Sequence, residues 1–164
     1  MNTVLYVFLT GVGATAVMDL WALVRRRLFR APLPNYAFVG RWIAHLPRGR
    51  VHHDAIAAAA PARGERAIGW TAHYLIGIAF ASLLPAVWGA GWFRDPALAP
   101  ALIVGIVTVL APFLVMQPAM GLGVAASRTP RPAAARLQSL LTHIIFGLGL
   151  YAAALVTAQL PSGD

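Results

Sequence analysis

The sequence has no cysteine and no lysine, and only five of its 164 residues are acidic. The missing cysteine excludes disulfide bonds, thiolate nucleophiles and cysteine-ligated metal sites. Charged residues make up 11% of the chain, whereas 59% of it is hydrophobic. This balance is too apolar for a soluble domain of this length, so the composition indicates a membrane protein.

Four apolar runs are long enough to cross the hydrocarbon core of a bilayer, and they cover about 3–24, 67–88, 97–126 and 137–160. About 20 helical residues, at ~1.5 Å each, span the ~30 Å of that core. Little of the chain is left for a soluble core. We therefore predict one all-α integral membrane domain over residues 1–164, with four transmembrane helices in a single bundle.

The thirteen basic residues are all arginines, and they are distributed unevenly over the connections. Nine lie in 25–66 and three in 127–136, whereas the second connection has Arg94 alone, beside Asp95. Because positive charge favours the cytoplasmic side, we predict that 25–66 and 127–136 are cytoplasmic and that both termini lie outside. A net charge of +8 can also indicate nucleic-acid binding. We predict no nucleic-acid partner here, because topology and the anionic headgroups of membrane lipids already account for arginines that flank membrane spans.

The first connection contains the stretch "FRAPLPNYAFVGRWIAHLPRG", in which apolar side chains alternate with Arg41 and His45. This pattern predicts either a short amphipathic helix on the cytoplasmic interface or a loop anchored there by its aromatic residues. The adjacent His52 and His53 are expected to point apart and to be solvated. Asp54 is predicted to cap a short alanine-rich helix that ends before Pro61.

Prolines mark two further points in the second half of the chain. Pro112 predicts a kink in the third membrane helix. In "SRTPRPAAAR", Thr129 followed by Pro130 predicts the cap and first residue of the last helix.

Each apolar run carries a polar or soft side chain at a similar depth. The distance along the chain from each of these side chains to the arginine at the nearer end of its apolar run is similar. It is six residues for Asp19, seven for His73 and His143, eight for Met120 and eleven for Gln117. These spacings place the side chains ~9 to ~16 Å along the helices from that boundary. An ionisable group inside a bilayer costs several kcal/mol and normally faces the protein interior. We therefore predict an intramembrane binding layer, which consists of Asp19, Thr15, His73, Gln117, Met120 and His143.

Small residues share the helix faces on which this layer lies. Gly11, Thr15 and Asp19 follow one another at intervals of four residues, and small residues recur in the same way beside His73 and His143. Such stripes let helices approach closely and direct the polar side chains into the bundle. The same stripes make a homo-oligomer or a partner membrane protein a further prediction.

Four roles are compatible with this layer. It can hold the bundle together, with Asp19 accepting a hydrogen bond from a histidine or from Gln117. It can form a proton or solute pathway centred on Asp19. It can bind a metal ion through Asp19, His73 and His143, with a methionine thioether as a further ligand. Finally, His73 or His143 can act as the base of an intramembrane enzyme, although no nucleophile motif accompanies them.

Five stretches of the chain have a distinctive sequence, and they read "GATAVMDLW", "NYAFVGRWIAHLPRG", "GERAIGWTAHYLIGIAFA", "VLAPFLVMQPAMGLGVAASRTPRP" and "RLQSLLTHIIFGLGLY". They resemble a family of small bacterial inner-membrane proteins that is catalogued as a domain of unknown function. The resemblance extends over nearly the whole chain. It implies a four-helix protein of the inner membrane, and it brings no activity, substrate or catalytic residue.

Transport or permeation of a small solute, with or without proton coupling, is the function that we predict for the polar layer. The alternatives are an intramembrane metal-binding protein or enzyme that uses the same residues, and a structural membrane subunit. An enzyme is the less favoured class because the histidines lack a nucleophile. The sequence requires no cofactor.

Overall fold

The computed structural model describes residues 2–159, and every regular element in that part of the chain is helical. The α-helices are α1 (Thr3–Phe29), α2 (Tyr36–His45), α3 (Glu65–Ala81), α4 (Leu83–Trp88), α5 (Leu98–Val107), α6 (Gln117–Ala119) and α7 (Pro132–Ala158). A π-helical turn covers Pro112–Met116. Short 3₁₀ turns cover Leu46–Arg48, Ile56–Ala58, Ala90–Phe93 and Val124–Ala126.

Four helical stretches are long and apolar enough to cross a membrane, and they are Thr3–Phe29, Glu65–Trp88, Leu98–Ala119 and Pro132–Ala158. Large apolar side chains on these stretches are exposed, for example Leu20, Leu75, Ile103 and Leu114. An exposed apolar surface of this kind suits contact with hydrocarbon rather than water. The predicted all-α fold with four membrane-spanning helices is therefore confirmed.

The ends of these spans differ from the predicted ends. The first span continues through the arginine triplet to Phe29, because arginine is a good helix former and a charged helix can continue beyond the hydrocarbon. The third ends at Ala119 instead of residue 126, since Gly121 and Gly123 adopt left-handed backbone conformations with φ of 87° and 74°. The fourth begins at Pro132 instead of residue 137. Residue 160, its predicted end, lies outside the described residues.

Prolines interrupt the second and third spans. Pro85 lies just after the break at Ser82, and it has no N–H with which to bond the carbonyl of Ala81. In the third span the predicted irregularity at Pro112 is confirmed, and it takes the form of the π-helical turn. Such turns are rare in proteins and are frequent at functional sites.

The chain divides into two compact units, each built from separate segments. Unit 1 consists of the described parts of 1–33, 74–108 and 141–164, and unit 2 consists of 34–73 and 109–140. Each of the last three spans therefore contributes to both units. The single domain and the single bundle stay predictions.

Glycines bring the helices of unit 1 into backbone contact. A Cβ on Gly11 would overlap the backbone of Ile78, and a Cβ on Gly77 would overlap the hydroxyl of Thr15. Gly105 and Gly147 approach each other in the same way, at the crossing of α5 with α7. The small-residue stripes thus bring helices of this unit together as predicted. Beside these crossings, buried aromatic and aliphatic side chains form a core, which includes Tyr6, Leu84, Phe93, Phe146 and Leu150.

Unit 2 contains the predicted amphipathic helix, which is α2. The side chain of Asn35 caps this helix by accepting a hydrogen bond from the backbone N–H of Ala37, at 3.2 Å. The helix buries Arg41 and His45 on its inner face. A Cβ on Gly40 would overlap the carbonyl of Glu65, so α2 lies directly against the start of α3.

Two predicted helix starts in unit 2 are wrong. Asp54 does not cap an alanine-rich helix, because the chain there forms only the 3₁₀ turn Ile56–Ala58, with Ala55 at the capping position. Thr129 does not cap the last helix, since its hydroxyl donates to the carbonyl of Ala126 at 2.8 Å. A local turn uses the hydroxyl of Thr129 that an α-helical cap would need, whereas after Asp54 the backbone N–H of Ile56 bonds to the carbonyl of Met120 instead.

Candidate functional site

Asp19 is the half-buried carboxylate of the first span, and Tyr74 is its partner in unit 1. The hydroxyl of Tyr74 donates to Oδ2 of Asp19 at 3.0 Å. Tyr74 is not among the residues predicted from the sequence. Its position was a usable signal, since it follows Arg66 by eight residues and so lies at the depth of the other polar side chains.

Thr15 faces the protein interior, but its hydroxyl forms a hydrogen bond within its own helix. It is 1% exposed and donates to the carbonyl of Gly11 at 2.8 Å. A threonine bound in this way has one hydroxyl proton and has already used it. Thr15 therefore contributes by packing against Gly77.

His143 is held at the crossing of α5 and α7 in unit 1. Its Nδ1 lies 3.1 Å from the hydroxyl of Thr108 and 3.2 Å from the carbonyl oxygen of Gly105. Because a carbonyl can only accept a hydrogen bond, this contact requires the proton on Nδ1 and leaves Nε2 as the acceptor. Thr108, which the sequence analysis missed, donates its own hydroxyl to the same carbonyl at 2.8 Å.

His73 lies in unit 2 among aromatic rings. Its ring stacks on Tyr36, the first residue of α2, with centroids 4.1 Å apart and planes at 24°. The edge of Trp70 approaches the same ring at 5.9 Å. Neither aromatic contact was predicted: Tyr36 and His73 are far apart in the sequence, whereas Trp70 and His73 are three residues apart on α3, a spacing that could have indicated the contact.

Gln117 and Met120 follow the π-helical turn of the third span, also in unit 2. The amide nitrogen of Gln117 lies 3.5 Å from the hydroxyl of Ser139, at the outer limit of a hydrogen bond, and its Oε1 is buried without a partner among the described residues. Met120 is 6% exposed, and its carbonyl accepts a hydrogen bond from the backbone of Ile56 at 3.1 Å. Met120 is thus buried where the backbone of the first connection bonds to the chain just after the third span.

The structure therefore divides the six predicted residues between the units. Asp19, Thr15 and His143 belong to unit 1, whereas His73, Gln117 and Met120 belong to unit 2. A common layer that contains all six stays a prediction. No group of three or more histidine, aspartate or glutamate side chains in residues 2–159 is arranged to hold a metal ion, so the metal alternative has no geometric support.

A second polar cluster, which the sequence analysis did not predict, lies in the first connection. Nδ1 of His45 and Nε2 of His53 are 2.9 Å apart, and the side chains are 3% and 8% exposed. His52 is exposed, as expected, but the prediction that His53 is solvated is wrong. The backbone N–H of His53 donates to the carbonyl of Ala119 at 2.8 Å, which places this imidazole against the end of the third span.

The His45–His53 pair makes the stability of this connection dependent on pH. Burial lowers the pKa of His45, and electrostatic interactions with His53, Arg48, Arg50 and Arg41 lower it further. The unfolded chain, with an ordinary histidine pKa of about 6.5, then binds the proton first as the pH falls. The stabilisation is complete above pH ~6.5 and is lost as the pH falls from there through the lowered pKa of the folded state.

We expect amide hydrogen exchange in residues 51–56 to accelerate when the pH is lowered from 7 to 5, after correction for the intrinsic exchange rate. His45→Gln should weaken this response, because the amide can keep a hydrogen bond without taking up a proton. His52→Gln removes an exposed neighbouring histidine and should leave the response unchanged. An equal response in the wild type and in His45→Gln would contradict the assignment to this pair.

Residues 8–157 match a family model described as "Protein of unknown function (DUF2938)". No curated protein and no solved structure matches the chain.

Proposed function

Because the chain belongs to the family described as protein of unknown function (DUF2938), which brings no activity with it, we propose a function from the chain's own residues: proton-coupled or small-solute transport across a membrane, with Asp19 and Tyr74 as the central pair. The observation that carries this proposal is the hydrogen bond between the Tyr74 hydroxyl and the Asp19 carboxylate inside two membrane-spanning helices. Ionisable groups at such depths are costly, and they are typical of ion and proton pathways.

The chemistry of this pair suits a carboxyl group that changes its charge state. The phenol of Tyr74 donates to the ionised form of Asp19, which offsets part of the cost of a charge in a poorly hydrated environment. A protonated Asp19 can still accept this hydrogen bond through its carbonyl oxygen. Asp19 is half-buried rather than enclosed, so exchange of its proton or of a bound solute cation requires that the exposed edge of the side chain faces water rather than hydrocarbon.

A structural membrane subunit is the second candidate, and specific contacts favour it. The hydroxyl of Thr15 bonds to its own helix, and His143 bonds to Gly105 and Thr108 across one helix crossing. Polar contacts of this type hold transmembrane helices together and contribute about 0.6 kcal/mol each. The two candidates differ in what they require of Asp19: transport requires its charge, whereas packing requires only its shape and hydrogen bond.

Proton flux into vesicles tests this difference. The purified protein is reconstituted into liposomes that contain a pH-sensitive dye, and a potassium diffusion potential is imposed with valinomycin. We expect acidification to be faster than in protein-free vesicles for the wild type, to return to the protein-free rate for Asp19→Asn, and to be reduced for Tyr74→Phe. Asparagine keeps the size and the acceptor oxygen of aspartate, so the loss would report the charge.

Asp95→Asn is the matched control, since Asp95 is exposed in the second connection and the substitution removes the same charge. It should retain the wild-type flux. A folded Asp19→Asn variant with full flux would contradict transport through this pair. Wild-type vesicles that acidify no faster than protein-free vesicles would contradict proton coupling.

A further inference from the structure

An open hollow lies on the first connection, in unit 2. It has a volume of about 390 Å³ and is lined by Arg50, His52, His53, Asp54 and three alanines. At ~30 Å³ for each water molecule, this is room for roughly a dozen waters. The hollow therefore has more space than a single phosphate group needs. Its lining combines positive and negative side chains.

The hollow lies at one end of a membrane span. Its wall is attached to the end of the third span, because His53 N–H donates to the carbonyl of Ala119 at 2.8 Å and Ile56 N–H donates to that of Met120 at 3.1 Å. On the other side, the indole N–H of Trp42 donates to the carbonyl of Val51 at 2.8 Å. Tryptophan is enriched at the depth of lipid headgroups. The site thus lies where a headgroup can reach it.

His53 supplies a polar atom that the protein leaves unsatisfied. It is 8% exposed, its Nε2 contacts His45, and its Nδ1 is buried without a hydrogen-bond partner among the described residues. Burial of such an atom costs free energy, which a ligand can recover. When His45 donates to Nε2, His53 carries its proton on Nδ1, and a shift of the ring toward the hollow would let this N–H donate to an anionic oxygen.

The charged side chains of the hollow fit two ends of one ligand. Arg50 and His52 are exposed donors beside His53, and they suit a phosphate. Asp54 is exposed in the same hollow and suits an ammonium group. The carboxylate of Asp54 would not bind a simple anion. A ligand with an anionic and a cationic group can contact both the donors and this carboxylate.

We propose that this hollow binds the headgroup of a phospholipid that carries both a phosphate and a primary ammonium group, with the phosphate at Arg50 and His53 and the ammonium at Asp54. Backbone hydrogen bonds and the His45–His53 contact hold the wall of the hollow, whereas the exposed side chains of Arg50 and Asp54 would become ordered on binding. A fixed wall loses less conformational freedom on binding. The proposal is independent of any transport through Asp19.

Lipid binding to the delipidated protein in detergent tests this site. We would measure the rise in unfolding temperature and count bound lipids by native mass spectrometry, with phosphatidylethanolamine, phosphatidylglycerol and phosphatidylcholine as probes. The wild type should prefer phosphatidylethanolamine, because glycerol lacks the ammonium group and choline has no N–H to donate. Soluble phosphoethanolamine and inorganic phosphate are added separately, to distinguish a lipid from a free phosphate compound.

Arg50→Gln and Asp54→Asn are the informative variants, since both residues are exposed and their replacement leaves the His45–His53 contact in place. Arg50→Gln should weaken phosphatidylethanolamine binding about tenfold, the effect of one lost charge-assisted hydrogen bond. Asp54→Asn should abolish the preference over phosphatidylglycerol. Arg63→Gln removes an exposed arginine of the same connection that does not line the hollow, and it should bind like the wild type.

Three results would overturn the proposal. The first is a wild type without preference for phosphatidylethanolamine. The second is an equal loss in Arg50→Gln and Arg63→Gln, which would show diffuse attraction to arginines. The third is equal stabilisation by a soluble phosphate compound, which would assign the hollow to a free ligand.

Discussion

Replacement of Arg41 by methionine is expected to lower the unfolding temperature of the protein by roughly 10 °C. Arg41 is 7% exposed, and its guanidinium forms a bidentate contact with Glu65, with both N–O distances at 2.8 Å. Its remaining nitrogen donates to the carbonyls of Ile56, Ala57 and Ala59, at 3.0 to 3.4 Å. One side chain thus holds α2, the 3₁₀ turn and the start of α3 together.

Methionine fills a similar volume but supplies none of these donors. The carboxylate of Glu65 and the three carbonyls would then remain in a poorly hydrated place without the partner that they have in the wild type. The hydrogen bond that Arg41 donates to Glu65 also raises the pKa of Arg41 above its usual value, so the guanidinium stays charged at any pH used for the measurement. Arg41→Lys should give an intermediate loss, because ammonium keeps the charge but cannot form the planar fork.

Arg63→Met is the matched control for this prediction. It removes an exposed arginine from the same connection and should shift the unfolding temperature by about 2 °C or less. Thermal unfolding in a mild detergent, followed by circular dichroism, measures all three variants. If Arg41→Met and Arg63→Met shift the temperature equally, Arg41 does not organise the connection.

The contrast between Arg41 and Asp19 shows how far the sequence determines this fold. Hydrophobic length alone predicts the four spans, because a bilayer requires about 20 apolar residues for each crossing helix. The sequence also predicts that Asp19 needs a hydrogen-bonding partner, because a charge in hydrocarbon is costly. It does not identify the partner, since the rotation of one helix about its axis relative to another depends on packing. The hydroxyl of Tyr74, which is adjacent to the predicted His73, donates a hydrogen bond to Asp19.

The first connection was harder to predict because its structure depends on contacts distant in sequence. Arg41 and Glu65 are 24 residues apart, and His45 and His53 are eight apart on segments without a common periodicity. The alanine-rich stretch after Asp54 has a high helix propensity, but its carbonyls bond to Arg41 instead of continuing a helix. Tertiary hydrogen bonds override local propensity there, and no local pattern reports them.

Gly77→Ala is expected to destabilise the protein by about 1–3 kcal/mol, although alanine is the better helix former by about 1 kcal/mol. The added Cβ would overlap the Thr15 hydroxyl at the crossing of α1 and α3 in unit 1. Thr15 is 1% exposed and its hydroxyl is fixed by the carbonyl of Gly11, so it cannot turn away without loss of that hydrogen bond. The helices must separate instead, and their other contacts weaken.

The double variant Thr15→Ala/Gly77→Ala distinguishes this cause from a general intolerance of Gly77 to substitution. Without the hydroxyl, the nearest atoms of the new Cβ are the Cβ of residue 15 at 3.3 Å and the Gly11 carbonyl oxygen at 3.4 Å, which a small shift can accommodate. We therefore expect the double variant to be more stable than the sum of the two single changes predicts, by at least about 1 kcal/mol. Unfolding by sodium dodecyl sulfate in mixed micelles measures these differences.

Gly91→Ala is the control for this prediction. Its Cβ would meet no atom within 4 Å, so it should change stability by about 0.5 kcal/mol or less. Strictly additive losses would mean that the crossing does not depend on the Thr15–Gly77 contact, and the close approach of α1 and α3 that positions Asp19 beside Tyr74 would then need another cause.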